Sequence, residues 1–115
     1  MQFHFLIIEA GFYEELASAQ RAGAIQALEA EGVSYDIISV PGALEIPGAL
    51  KTAHLSEIHY DGYVALGCVI RGQTSHYDTV CSESARGLMD LSLQHDLAIG
   101  NGILTVENAE QAWER

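Results

Sequence analysis

The stretch Tyr63–Val80, "YVALGCVIRGQTSHYDTV", is the part of the sequence that decides the fold. Its first part is the most apolar run of the chain and ends at Ile70, as expected for a strand that is covered on both faces. Residues 71–76 then bring together an arginine, a glycine, an amide, two hydroxyls and an imidazole. Helical spacing begins after His76. Strand, polar turn and helix in this order predict one unit of a parallel α/β sheet.

The same alternation of strand and helix patterns runs outward in both directions. Cap signals separate the segments, among them Gly32 after the first helix and Asn108 with Gln111 at the start of the last. This order predicts an α/β fold with a parallel sheet, right-handed crossovers and one domain over residues 1–115. Strands are predicted at residues 3–10, 35–40, 63–70 and 97–106, and helices at 13–31, 45–55, from 76 onward and at 107–115.

Apolar spacing also predicts which face of each long helix is buried. The predicted inner residues are Leu16, Ala19, Ala24, Ala27 and Leu28 in the first helix, and Val80, Ala85, Leu88, Leu91 and Leu93 in the helix after His76. The two glycines of the fourth strand indicate close approach of another group. Pro47 is compatible with the second helix only in its first turn.

The chain is acidic, with a formal net charge of -11, and this limits its partners. Nucleic-acid binding needs a basic face, so no nucleic-acid partner is expected. The long-range field also repels anionic small molecules, so any phosphate site must be local, built from backbone N–H groups and one or two arginines. The residues with fixed positive charge are Arg21, Lys51, Arg71, Arg86 and Arg115.

Location and metal content are predicted from what the sequence lacks. No apolar run approaches the roughly 20 residues that a membrane-spanning helix needs, and the first residues carry no basic leader, so a cytoplasmic protein is expected. Cys68 and Cys81 are interpreted as small buried apolar residues in preference to nucleophiles or redox groups. The histidines are scattered, without a C-x-x-C or H-E-x-x-H motif, so no metal site is expected.

Ligands of open α/β sheets bind beyond the C-terminal ends of the strands. In the third loop at that end, Gly72 allows close backbone approach, and Ser75 with Asp78 fits an N-terminal capping pattern. Free N–H groups at a helix start bind anions, and Gln73 and Thr74 add donors. A plain capped turn is nevertheless the more frequent meaning of such a pattern. The loops at this end are residues 10–13, 40–45, 71–76 and 106–108.

Other polar and aromatic residues of these loops each have two readings. His76 is able to transfer protons near neutral pH, or it simply faces solvent in the first turn of a helix. Phe12 is a platform for a ring or an apolar plug, and Glu45 accepts hydrogen bonds from a polyol or is a carboxylate favoured by a helix N-terminus. Arg71 and Arg115 compete as phosphate partner.

Three segments together resemble the 6,7-dimethyl-8-ribityllumazine synthase family, and its α-proteobacterial branch most closely. They are "VPGALEIP", "ALGCVIRGQTSHYDTVCSESARGL" and "GNGILTVENAEQAWER", with a weaker match in "HFLIIEAGFYEEL". The resemblance implies a flavodoxin-like three-layer αβα sandwich with a four-stranded parallel sheet, assembled as pentamers, decamers or icosahedral shells. It also implies the family reaction, which joins 5-amino-6-(D-ribitylamino)uracil to 3,4-dihydroxy-2-butanone 4-phosphate and releases phosphate, without a metal or organic cofactor. Riboflavin synthase is a further partner that it suggests.

The resemblance also assigns roles to residues at a site between neighbouring subunits. Phe12 would stack on the pyrimidine, and Val69 and Ile70 would offer backbone groups to its edge. His76 would transfer protons. The ribityl chain would be held by Ala43, Leu44 and Glu45, the phosphate by Gln73, Thr74 and the neighbour's Arg115, and a neighbouring residue at the position of Asn101 would face the ring.

Three features differ from the family pattern. Relatives continue beyond the Arg115 position with a loop and a long helix that supplies a lysine near the phosphate. Some relatives carry an aromatic residue at the position of Asn101, and a glutamate is common at the position of Gln73. The rival hypothesis is a non-catalytic assembly or flavin-binding protein on the same fold, which would be expected to lose His76 and the phosphate loop. Both features are retained in this sequence.

Overall fold

The computed structural model describes residues 2–115 as four parallel strands with helices on both faces of the sheet. The strands follow the order β2-β1-β3-β4, so the α/β, flavodoxin-like fold expected from the sequence is confirmed. The elements are β1 His4–Ala10, α1 Glu14–Ala30, β2 Ser34–Val40, a 3₁₀ turn Ala43–Glu45, α2 Ile46–His54, β3 Gly62–Ile70, α3 His76–His95, β4 Ile99–Val106 and α4 Ala109–Glu114.

The larger core lies between the sheet and the layer formed by α2 and α3. Leu6, Ile8 and Ala10 of β1 alternate with Ile7, and they pack on this side against residues such as Ile46 and Leu50. The opposite face is covered by α1 and α4, where Leu16, Val106 and Ala112 form a smaller cluster. Because both faces of the central strands are covered, β1 and β3 read as continuous apolar runs in the sequence.

The predicted inner faces of the long helices are right in part. Val80, Leu88 and Leu91 of α3 are buried, but Ala85 and Leu93 are exposed, and Ser84 takes the position in the buried row. A row at 80, 84, 88 and 91 follows the period of 3.6 residues more closely than the predicted one. In α1, Leu16 is buried as predicted.

The other residues of α1 that were predicted to be buried are also only partly confirmed. Ala24 and Leu28 are partly buried, whereas Ala19 and Ala27 are exposed and the buried alanine is Ala17. Alanine fits either face of a helix, so an alanine-rich segment does not fix the rotation of the helix about its axis.

Two glycine positions show how closely neighbouring elements approach each other. A Cβ on Gly102 of β4 would lie 3.0 Å from the Ala65 carbonyl oxygen, which confirms the close approach predicted for a glycine of this strand. A Cβ on Gly87 of α3 would lie 2.8 Å from Cβ of Pro47, so α2 and α3 meet at this point. Pro47 stands in the first turn of α2, as predicted.

The helices of the described chain were also compared with the requirements for a membrane span. None between residues 2 and 115 combines the length and the apolar character that crossing a bilayer requires.

Candidate functional site

A cleft of about 480 Å³ opens at the C-terminal ends of the strands. Its walls come from the loops after β1, β2 and β3 and from the first turns of α3, which is where the fold class predicts a ligand site. The cleft is lined by Phe12, Tyr13, Pro41, Gly42, Ala43, Leu44, Glu45, Cys68, Val69, Ile70, Gly72, Thr74, His76, Tyr77 and Val80.

Most residues singled out from the sequence meet in this one cleft, namely Phe12, Ala43, Leu44, Glu45, Val69, Ile70, Thr74 and His76. Gln73 is exposed in the loop but does not line the cleft. Asn101 on β4 and Arg115 after α4 lie elsewhere on the same subunit. The last two are the residues for which the sequence resemblance implied a contribution from a neighbouring subunit.

Phe12 dominates the wall that follows β1. It is 72% exposed, and its ring lies edge-on to Tyr13 with 4.9 Å between centroids. A phenyl ring this exposed does not plug the core of a single subunit. It presents an apolar face to whatever enters the cleft, such as a flat ring, or to another subunit.

The wall that follows β2 is a tight turn. The N–H of Glu45 donates to the Gly42 carbonyl at 3.1 Å and closes the 3₁₀ turn. Ala43 is buried in the core, which fixes the turn, while Leu44 and Glu45 are exposed at the cleft. The Glu45 carboxylate folds back over the turn, because a Cβ on Gly42 would lie 3.2 Å from its Oε1. The turn therefore aims one acceptor group into the cleft.

The loop that follows β3 carries the hydrogen-bond donors. The predicted Ser75 side-chain cap is wrong, because its hydroxyl makes no capping bond. The Thr74 hydroxyl instead accepts from the His76 N–H at 3.3 Å, and the Ser75 carbonyl accepts from the N–H groups of Asp78 and Thr79. The N–H groups of Gln73, Thr74 and Ser75 have no hydrogen-bond partner within residues 2–115. These donors are free to bind an anion at the start of a helix of 20 residues.

Burial raises the pKa values of two cleft residues, Cys68 and Tyr77. Desolvation is the main cause that raises the pKa of Cys68, so its thiol form dominates. The pKa of Tyr77 is also raised, chiefly by desolvation. Neither group is an anion at neutral pH, which agrees with the reading of Cys68 as a small apolar residue and not a nucleophile.

Three of the five cationic side chains are engaged in ion pairs within the part of the chain that the structure covers. Arg21 pairs with Glu9, and Arg86 pairs with its neighbours on α3. Arg71 donates from Nε to Glu107 at 2.7 Å. Arg115 makes no ion pair with any residue between 2 and 114, and it is exposed directly after α4.

Sequence reasoning missed two aromatic wall residues, Tyr13 and Tyr77. Each directly follows a residue that was singled out, Phe12 or His76, and this adjacency in the sequence was the available signal. The predicted cap of α4 is confirmed. The Asn108 side chain accepts from the Gln111 N–H at 3.0 Å, and the Gln111 side chain reaches back to the Glu107 N–H at 2.8 Å.

Among the described residues, no set of three or more His, Cys, Asp and Glu side chains is arranged to hold a metal ion.

Comparisons with known proteins agree with the geometry. Residues 2–115 match the profile of the family described as 6,7-dimethyl-8-ribityllumazine synthase. The enzyme of that name from Bartonella tribocorum is 61% identical over 112 residues, which cover 97% of this chain and 74% of the relative. Lumazine synthase 1 of Rhizobium meliloti is 59% identical over 116 residues, 97% of this chain and 76% of the relative. The enzyme of Agrobacterium fabrum is 58% identical over 116 residues, 97% of this chain and 78% of the relative.

These relatives are α-proteobacterial enzymes, as the sequence motifs predicted. The aligned region covers nearly the whole chain in each of these comparisons. The chain belongs to the 6,7-dimethyl-8-ribityllumazine synthase family, the transferases of riboflavin biosynthesis that make this lumazine.

Proposed function

We propose that the cleft binds both substrates of the family reaction, with His76 as the residue that transfers protons. The reaction condenses 5-amino-6-(D-ribitylamino)uracil with 3,4-dihydroxy-2-butanone 4-phosphate, and phosphate leaves. One observation carries the proposal. At least one residue that the resemblance assigned to each of the ring, the ribityl chain, the phosphate and proton transfer lines this single cleft, although these residues follow three separate strands.

The uracil and its ribityl chain would occupy the part of the cleft nearest β1 and β2. Phe12 offers an exposed ring for stacking, and the end of β3 at Val69 and Ile70 offers backbone groups to the pyrimidine edge. The ribityl chain would lie along the turn at Ala43–Glu45, where the Glu45 carboxylate accepts hydrogen bonds from its hydroxyl groups.

The phosphate would bind at the start of α3. Free N–H groups of Gln73, Thr74 and Ser75 and the positive end of the helix dipole act at short range, which is what a chain of net charge -11 requires. The Gln73 side chain would add a neutral donor that does not repel an anion. Arg115 of the neighbouring subunit would supply the fixed positive charge, since Arg71 is already bound to Glu107.

His76 lines the same cleft as Thr74 of the proposed phosphate loop and Phe12 of the proposed ring site. Protons must move when the amine adds to the carbonyl, when water leaves to give an imine and when phosphate departs. An imidazole titrates near neutral pH and is suited to both giving and accepting these protons. Holding two substrates together would supply a further large part of the acceleration.

A site completed by a neighbour requires assembly, and we propose a pentamer or a multiple of it. The exposed Phe12, the exposed Arg115 and the position of Asn101 outside its own subunit's cleft support this arrangement. A cytoplasmic location and an association with riboflavin synthase belong to the same proposal.

The proposal is tested by mixing the two substrates with the purified protein and following lumazine absorbance while the particle size is measured in the same sample. Product formation by a particle of at least five subunits is expected. Turnover by a monomer would contradict the shared site, and a pentamer that binds lumazine without making it would support the non-catalytic alternative.

A further inference from the structure

Arg71 connects two loops near the cleft, the loop that follows β3 and the loop that follows β4. It follows β3 directly, and its Nε donates to Glu107 Oε2 at 2.7 Å in the loop that follows β4. Its Nη1 lies 3.6 Å from Asp78 Oδ1, and its guanidinium carbon lies 4.3 Å from the centroid of the Tyr77 ring. The planar head is therefore held on several sides at once, a geometry that suits arginine and not lysine.

The partners of Arg71 belong to different functional segments. Tyr77 and Asp78 stand in the first turn of α3, next to His76 and the phosphate loop. Glu107 directly precedes the Asn108 cap of α4, and its own N–H is bound by Gln111 of that helix. Arg71 thus connects the start of α3 to the start of α4.

The global stability of the fold does not explain this arrangement. The Arg71, Asp78 and Glu107 side chains are 44%, 63% and 56% exposed, and exposed ion pairs contribute little to the free energy of unfolding. The arginine instead joins the start of α3, which directly follows a loop with free N–H groups, to the start of a helix of only six residues.

We infer that Arg71 is a positioning residue that fixes the phosphate loop and α4 relative to each other. The inference rests on the proposed function, in which Thr74 serves one site and Arg115, at the end of α4, serves the neighbouring one. The contacts of Arg71 therefore position the phosphate loop of one site and also Arg115, which serves the neighbouring site.

The competing reading is that Arg71 leaves Glu107 and binds phosphate itself. The two readings predict opposite results for Glu107→Gln. If Arg71 binds phosphate directly, removing its competing carboxylate releases it and lowers KM for the butanone phosphate. If Arg71 is a positioning residue, the same substitution loosens both segments and raises that KM.

The kinetic test compares Arg71→Met, Glu107→Gln and the double variant with the wild-type protein. Each single change is expected to raise KM for the butanone phosphate about fivefold and to leave KM for the ribitylaminouracil within about twofold. The double variant is expected to be no worse than the poorer single variant, because both remove the same contact. Arg86→Met is the matched control, since Arg86 also holds two carboxylates but only within α3, and no change is expected.

A second readout does not depend on turnover. Hydrogen exchange is expected to be at least about threefold faster in Arg71→Met than in Arg86→Met at the hydrogen-bonded backbone amides of both helix starts. These amides belong to His76, Asp78, Thr79, Glu107, Gln111 and Ala112. If the wild-type protein makes no product but this difference appears, the proposed function fails and the positioning role stands. A lower KM in Glu107→Gln, strictly additive effects, or unchanged exchange in both segments would each overturn the inference.

Discussion

The polar groups at the two ends of the sheet differ in whether they are hydrogen-bonded within the subunit. At the N-terminal end of the strands, His4 bonds to Ser34 at 2.7 Å and to Asp36 at 3.0 Å, and Tyr60 donates to Asp36 at 2.7 Å. At the C-terminal end, the N–H groups of residues 73–75 have no partner in the described part of the chain, and Phe12 is exposed. A polar network that satisfies itself stabilises the fold, whereas free donors beside an exposed ring are available to a ligand.

Substitution of His76 gives the largest expected contrast between the ends. His76→Ala is expected to lower kcat by about 10²–10⁴-fold, because one proton-transfer group is lost while substrate positioning persists. The matched control is His59→Ala at the opposite end, where the side chain is 84% exposed, and it should leave kcat unchanged. Steady-state kinetics and thermal unfolding of both variants make the comparison. Complete loss of activity with the fold intact, or no loss at all, would contradict the proton-transfer role.

The next largest expected effect is on the free energy of unfolding, and it concerns the polar network at the N-terminal end of the strands. Tyr60→Phe removes the donor to Asp36 and should lower the free energy of unfolding by about 1 kcal/mol, because the bond is to a charged acceptor that is half exposed. Its kcat should not change. Tyr35→Phe is the control, since its bond to Glu29 is long, at 3.4 Å, and exposed. Denaturant unfolding measures both variants, and equal stabilities would show that the network is incidental.

The smallest effect is a pH dependence of the same network. The hydrogen bond from Tyr60, with that from His4, lowers the pKa of Asp36 below 3.8, and burial together with the contact with Asp36 raises the pKa of Tyr60 to about 12. A carboxyl whose pKa is lower in the folded state adds stability above pH 3.8, and that stability is lost as the pH falls through the folded value. Unfolding measured from pH 6 down to about pH 3 should therefore show a shallower acid loss in Tyr60→Phe than in wild type. Parallel curves would contradict this assignment.

At the C-terminal end of the strands, the sequence predicted which loops lie together, because the order of strands and helices determines their position. The apolar run that ends at Ile70 and the helical spacing after His76 fixed a strand, a turn and a helix, and parallel order placed the loops at one edge. Whether the turn was capped by Ser75 depended on side-chain rotation, and there the pattern failed. The assignment of Arg115 and Asn101 to a neighbour came only from the family resemblance, because no periodicity reports on a second subunit.

The polar network at the N-terminal end of the strands and the contact of Arg71 with Glu107 were not predictable from the sequence, and the reason is the same for both. His4, Asp36 and Tyr60 lie in three different segments. They meet because β1 pairs with β2, which places His4 opposite Ser34, and also with β3, which begins just after Tyr60. Arg71 and Glu107 are likewise brought together by the pairing of β3 with β4, which places Ile70 opposite Val106. Local patterns carry the elements and their order, whereas contacts between distant residues depend on sheet register.

The central claim is that each active site takes Thr74 and His76 from one subunit and Arg115 from its neighbour. The most direct test mixes His76→Ala subunits with Arg115→Met subunits, unfolds them together and refolds them as one population. With equal amounts in a closed ring, about a quarter of the sites regain both residues, so the mixture is predicted to be far more active than either parent assembly. Activity of the refolded mixture no greater than the average of the two parents would contradict the claim.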